Sequence, residues 1–182
     1  PTLRALINKK NPYSGFLYVG LMIKNNEPYL IEYNIRMGDP ECQVILPRLK
    51  TDLVKIFKNV IANKLRLTQI DWKKQKSNAV VLCSKGYPGN YKKNLLISKV
   101  NKIKLLKSDF IYHAGTKLIR NQVRSKGGRV LNIVSTRKNF LKIRNKIISI
   151  IKKLNWKNGF YRKDIGWRVI NKNENYWRKF KK

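Results

Sequence analysis

From residue 31 to residue 37 apolar and polar side chains alternate: Ile31, Tyr33, Ile35 and Met37 against Glu32, Asn34 and Arg36. Successive side chains of a strand point to opposite faces. The alternation therefore predicts a strand over 29–37, with its apolar face on a core and a carboxylate, an amide and a guanidinium in a row on the other. Gly38-Asp39-Pro40 ends it with turn chemistry, and Glu41 follows near a helix start. Upstream, residues 15–23 are a near-continuous apolar and aromatic run, which predicts a buried strand. The polar link 24–28 is too short for a parallel crossover, so the two strands are expected to pair antiparallel.

Further along, Thr51-Asp52 offers an N-cap, and Leu53, Ile56, Phe57, Val60, Ile61 and Leu65 recur at helical spacing to about residue 66. Asp71-Trp72 reads as a loop, 77–84 as a short apolar strand and 85–91 as a Gly/Pro turn. A strand-rich region covers 95–136, clearest at 109–113 and 129–134. Within it, Lys126-Gly127-Gly128-Arg129 is expected to supply the positive φ of a plain hairpin. A second helix is predicted over 138–154, its apolar face made by Phe140, Ile143, Ile147, Ile148, Ile151 and Leu154. Residues 1–12 end at an Asn11-Pro12 stop signal, 162–168 close the ordered part, and 171–182 form a basic polar tail. The order ββα, then mostly β, then a helix predicts an α+β fold.

Composition bounds this picture. A chain of 182 residues with 42% hydrophobic content can bury a core in one or two domains. No apolar run approaches the length of a membrane span. Cys42 and Cys83 form neither a disulfide framework nor a metal pattern, which predicts a reducing, cytoplasmic setting. The opening Pro1-Thr2-Leu3-Arg4 has no initiator Met and no signal-peptide layout, which predicts a fragment.

Net charge is +33, from 42 Lys and Arg against nine acids. The basic residues are spread along the whole chain, and Lys, Asn and Ile are abundant together. Non-specific attraction to polyanions follows physically. Specific nucleic-acid recognition is not expected, although a basic nucleic-acid-binding module remains the alternative from a different class.

Five of the nine acids, Glu27, Glu32, Asp39, Glu41 and Asp52, fall within 27–52. Such a cluster in a cationic chain has two readings. It holds a hard cation through oxygen ligands, or Glu32 and Asp39 pair with nearby Lys and Arg.

The hairpin with Glu32-Tyr33-Asn34-Ile35-Arg36-Met37-Gly38-Asp39-Pro40-Glu41 resembles the end of the ATP-grasp domain of the phosphoribosylamine–glycine ligases, or glycinamide ribonucleotide synthetases. Four further motifs agree in order: Ser84-Lys85-Gly86-Tyr87-Pro88-Gly89, His113-Ala114-Gly115-Thr116-Lys117, Gly127-Gly128-Arg129-Val130-Leu131 and Arg162-Lys163-Asp164-Ile165-Gly166-Trp167-Arg168. The resemblance covers about residues 1–170. It implies residues 1–72 as the C-terminal part of an ATP-grasp domain and 73–170 as a β-rich C-terminal domain, with the tail 171–182 beyond.

The resemblance also implies a reaction: ATP-dependent joining of glycine to 5-phosphoribosylamine through a glycyl phosphate, in purine biosynthesis. Glu32 and Asn34 match the family's magnesium ligands (Mg2+ or Mn2+), and both are oxygen donors. Arg36, expected on the same face, would fork onto a phosphate or carboxylate. Asp39 and Glu41 match the Gly-Asp-Pro-Glu turn, where they hold the glycine ammonium or orient Arg36. Lys117 and Arg129 are candidates for the substrate phosphate, with solvated or strand-pairing roles as the alternative.

There are departures. Met37 stands where an aromatic residue is expected, and residues 15–23 lack the metal-binding carboxylate that related ATP-grasp enzymes often supply there. The family's chain is much longer, so its N-terminal half is an implied partner and this chain alone is not expected to turn over. Another ATP-grasp ligase or carboxylase is the nearer alternative. Elsewhere bland roles are favoured: His113 beside a Gly turn, Cys42 in packing, and Trp72, Trp156 and Trp167 under loops.

Overall fold

The computed structural model describes residues 2–170. The chain forms two compact units, exchanging between them after Cys42, Arg48 and Lys73.

In the first unit, helix α1 (Thr2–Asn8) precedes a hairpin of β1 (Tyr18–Lys24) and β2 (Glu27–Asn34). Asn25 and Asn26 make the turn, at φ 52° and 65°. Two consecutive left-handed residues give the primed turn whose twist matches a hairpin, and Asn tolerates that region best after Gly. The pairing is antiparallel from Lys24↔Glu27 to Tyr18↔Asn34, with an irregularity between Gly20 and Leu21.

Two expectations fail here. The strand stops at Asn34, and Ile35 and Arg36 form a bend, so Arg36 does not continue the polar face of the strand. Nor is either strand buried: Met22, Ile23 and Ile31 are 58–63% exposed and only Gly20 is buried. The two strands form a sheet of their own, so no second layer of described residues covers the apolar face.

Helix α2 (Glu41–Ile45) follows, then α3 (Leu53–Ile61). Asp52 caps α3, accepting from Val54 N (2.6 Å) and Lys55 N (3.1 Å). The helix ends five residues before the periodicity suggested, because Asn63 turns left-handed at φ 56°. A 3-10 turn then takes Leu65–Leu67. The bland loop at Asp71-Trp72 is tied back, with Leu49 bridging Trp72 and Asp71 N donating to Thr51 Oγ1 (2.7 Å).

The second unit carries an antiparallel sheet of order β4 (Asp109–His113), β7 (Arg129–Arg137), β3 (Lys76–Ser84) and β8 (Gly159–Phe160). Strand β7 is central and buried along nearly its whole length. Helix α4 (Phe140–Leu154) packs on β7 and β3 through Ile143, Ile147, Ile150, Ile151 and Leu154. These residues share the core with Val80, Leu82, Leu131, Ile133 and Ile97. Asn139 caps the helix start and left-handed Asn155 ends it. A separate hairpin pairs β5 (Thr116–Ile119) with β6 (Gln122–Ser125), and α5 (Trp167–Ile170) is the last described element. The expected tail 171–182 lies outside the described residues.

The hairpin expected across Gly127-Gly128 does not form. Strand β6 pairs with β5, whereas β7 pairs with β3 and β4. Neither glycine has positive φ. The helices and antiparallel sheets together make the α+β fold expected from the sequence.

Candidate functional site

In the first unit the register places Asn34 opposite Tyr18 and Glu32 opposite Gly20. Gly20 leaves room for Glu32: a β-carbon there would stand 3.0 Å from Glu32 Cγ. Buried Gly38 does the same for Glu41, since a β-carbon would run into the Glu41 carboxylate and the Tyr18 ring. Tyr18 Oη donates to Glu41 Oε1 at 3.4 Å. The Glu41 charge, then partial burial, then that hydrogen bond and Glu32, push the Tyr18 phenol above its ordinary value. Tyr18, Glu32, Asn34 and Glu41 thus gather around two glycines.

The side chains of Glu32 and Asn34 make no hydrogen bond or ion pair with another described residue. Glu32 is exposed and Asn34 half-buried. The ion-pair reading of Glu32 therefore loses its partner, while two oxygen donors two residues apart on one strand remain open. No group of three or more His, Cys, Asp or Glu among the described residues could hold a metal.

Arg36 is not aligned with this pair. It is exposed past the strand end, and its Nη1 donates to Met37 O at 3.0 Å. The Asp39–Pro40 bond is cis, and Cys42 N closes the turn onto Gly38 O at 2.9 Å. Burial, with a smaller push from Asp39, raises the Cys42 thiol, which fits a packing role. Tyr18 and Gly20 were missed in the sequence. The signal was there: once the hairpin is paired, every second β1 residue must face Glu32 and Asn34.

In the second unit three motifs meet at one end of the sheet. Ser84 N donates to Gly128 O (2.8 Å) and Ser84 Oγ to Gly127 O (3.1 Å). Gly115 N donates to Arg129 O (2.8 Å), and Gly127 N to Gly115 O (3.1 Å). The glycines are required for space rather than for φ: a β-carbon on Gly115 would lie 2.7 Å from Gly127 Cα, and one on Gly128 would enter the Tyr87 ring.

On this cluster His113 Nδ1 meets Thr116 Oγ1 at 2.9 Å, a local bond that supports the structural role. Arg129 is exposed at the start of β7, paired with Cys83, and half-buried Lys117 on β5 lies opposite Arg124 on β6. Burial raises the Cys83 thiol, and the Arg129 charge partly offsets that. Trp156 packs against the core, whereas Trp72 is exposed and Arg168 lies over the Trp167 ring at 5.6 Å.

Comparison with known proteins adds lineage. The family model "Phosphoribosylglycinamide synthetase, C domain" matches residues 77–168, and "Phosphoribosylglycinamide synthetase, ATP-grasp (A) domain" matches residues 1–42. A phosphoribosylamine–glycine ligase of Brucella melitensis is 39% identical over 93% of this chain and 40% of its own length. That of Agrobacterium fabrum is 41% identical over the same shares. The crystal structure of the Thermotoga maritima phosphoribosylamine–glycine ligase superimposes with a TM-score of 0.69 at 30% identity. It is covered to 40% by 90% of this chain. The chain thus spans about two fifths of the length of the curated relatives it matches.

Proposed function

Because the chain belongs to the phosphoribosylglycinamide synthetase family, we propose that it supplies part of the site of an ATP-dependent ligase joining glycine to 5-phosphoribosylamine. In this reading residues 1–72 are the C-terminal part of the ATP-grasp domain and 73–170 the C domain, followed by the basic tail 171–182. The rest of the ATP-grasp domain and the N-terminal domain are the partner the chain requires, and the cytoplasm is its setting. No helix among the described residues is long and apolar enough to cross a membrane.

The glycine carboxylate takes the γ-phosphoryl group of ATP, releasing ADP and leaving glycyl phosphate. The phosphoribosylamine nitrogen then attacks the acyl carbon and loses a proton as inorganic phosphate departs, giving glycinamide ribonucleotide. Glu32 and Asn34 would hold Mg2+ or Mn2+, which neutralises charge on the nucleotide phosphates when bound. Arg36, exposed and with Nη1 donating to Met37 O, would fork onto phosphate or carboxylate. Asp39 and Glu41 border the glycine site. Glu41 is already anchored by Tyr18, so it suits a fixed contact to the glycine ammonium. Lys117 and Arg129 act on the substrate phosphate.

The observation that carries this reading is the pair Glu32 and Asn34, with no hydrogen bond or ion pair among the described residues and set by register opposite Gly20 and Tyr18. In the complete ligase, Glu32→Ala and Asn34→Ala are each expected to lower kcat/KM by on the order of 100-fold and to weaken magnesium-nucleotide binding. Intact nucleotide binding and ligase activity in both variants would show the metal assignment to be wrong.

A further inference from the structure

Between Ile97 and β4 the chain runs without strand or α-helix, with one 3-10 turn at Val100–Lys102. Ile97, Val100 and Ile103 recur every third residue and pin this segment to the core, the first two buried and the third half-buried. Leu106 continues that spacing but is 59% exposed, and Leu105 before it is 38% exposed. The core ends before it reaches them. Among the exposed large apolar residues described in the second unit, these two alone are neighbours in the chain. Lys104 and Lys107 flank them. Asp109 N donates to Leu106 O at 2.9 Å, which fixes the backbone where the segment turns into β4.

The same segment walls a recess of about 490 Å³, lined by Ser98, Lys99, Lys102, Ile103, Lys104 and, from the last turn of α4, Lys153. Four ammonium groups share this concavity, with no carboxylate in the lining. The two described acids of the second unit are held elsewhere. Asp109 is buried against Arg137 and Lys146, and Arg162 grips Asp164 at 2.6 Å. Repulsion among the four lysines is therefore relieved by anions from outside the unit. A second recess of about 560 Å³, beside the turn that follows β3, carries two lysines, Lys85 and Lys92.

We propose that this face docks on an anionic lipid surface, with Lys99, Lys102, Lys104 and Lys153 on the headgroup phosphates and Leu105 and Leu106 in the interface. Charge complementarity requires an anionic partner, and the leucines choose among anions. They do not line the recess, so no groove of this chain receives them. A folded acidic partner would need a pocket shaped for both. A bilayer interface takes protruding apolar side chains without such a pocket, and its headgroups form a plane of phosphates that several lysines reach at once. Lysine suits that boundary, since its stem lies along apolar matter while its ammonium stays with the phosphates. The contact is peripheral, because no helix among the described residues is long and apolar enough to cross a membrane. It is independent of the ligase chemistry.

The test is flotation of the whole 182-residue chain with vesicles of phosphatidylcholine and phosphatidylglycerol in equal parts, at physiological ionic strength. Aggregated protein sinks, so only lipid-bound chain rises. Screening then acts over about 8 Å, and lysines away from the contact count little. K102Q/K153Q is expected to lower the partition constant about tenfold or more, at about fivefold per lysine. L105S/L106S is expected to lower it about tenfold with no change of charge. K85Q/K92Q removes the same charge elsewhere and is expected to lower it about twofold or less. Vesicles of phosphatidylcholine alone are expected to lift no chain. All of the substituted positions are exposed, so the variants keep the fold, and dispersed amide spectra check that. The proposal is overturned if L105S/L106S floats as well as the parent chain, or if K85Q/K92Q loses as much as K102Q/K153Q, since either result leaves plain charge as the cause. It is overturned too if the mixed vesicles lift no chain while poly-glutamate binds and K102Q/K153Q abolishes that binding; the face then takes an acidic protein.

Discussion

Tyr18 and Glu41 hold each other at the rim of the hairpin, and the consequence is a pH dependence. The Glu41 carboxylate raises the Tyr18 phenol above its ordinary 10.0, so the folded chain keeps that proton where the unfolded chain loses it. The folded state then binds more protons than the unfolded one, and stability falls as pH rises through that window. The contribution is fully present below 10.0 and drains away above it. Tyr18→Phe is therefore expected to flatten the alkaline loss of stability in urea melts taken from neutral pH upwards, and in the complete ligase to weaken glycine binding a few-fold, about three to ten times, by releasing Glu41. At this scale the sequence was readable for Asp52, whose carboxylate accepts from backbone amides two and three residues on. It misled at Gly127 and Gly128. A glycine is needed for left-handed φ or for close approach, and only the Tyr87 ring and Gly115 show that here it is the second.

Element by element, what could be read depended on whether the burying partner lay nearby in the chain. Helix α4 was expected over 138–154 and runs Phe140–Leu154, because Asn139, the isoleucine stripe and Asn155 all lie within it or beside it. The β1–β2 pairing was likewise local. The burial of that hairpin was not, because the alternation reports what a strand is built to face and not whether the facing layer belongs to the same chain.

Asp109 is a further case. Its side chain is fully buried at the start of β4, bonded by Ser135 Oγ (2.8 Å) and by Arg137 Nη2 (2.7 Å), with Lys146 Nζ at 3.6 Å. It joins β4, β7 and α4 through one carboxylate. Asp109→Ala is expected to destabilise the second unit by about 3 kcal/mol, the low end for a broken buried pair because both cations are partly exposed. Equilibrium denaturation of the variant against the parent chain checks this.

At the scale of the whole molecule, the dominant quantity is the net charge of +33. It is spread along the sequence, and the two recesses of the second unit hold six of its lysines. Long-range attraction to any polyanion follows. Two duplex DNAs of unrelated sequence are expected to bind with equal affinity, falling steeply as salt rises. Anisotropy titrations across a salt series check this, and selective binding of one sequence at physiological salt would favour the nucleic-acid module instead. Charge and composition alone could not decide between that module and an enzyme; the ordered motifs, and the family they belong to, did.

The uncovered hairpin has one more consequence, and it concerns solubility. Among the described residues neither strand has a second strand partner, and Leu21, Met22, Ile23, Leu30 and Ile31 beside these edges are each at least half exposed. Lys24 and Glu27 guard only the turn end of it. Such a ribbon is a template on which further copies can add strands. Produced by itself, the chain is expected to aggregate through this ribbon, so the state of the hairpin would be felt first in the yield of soluble protein.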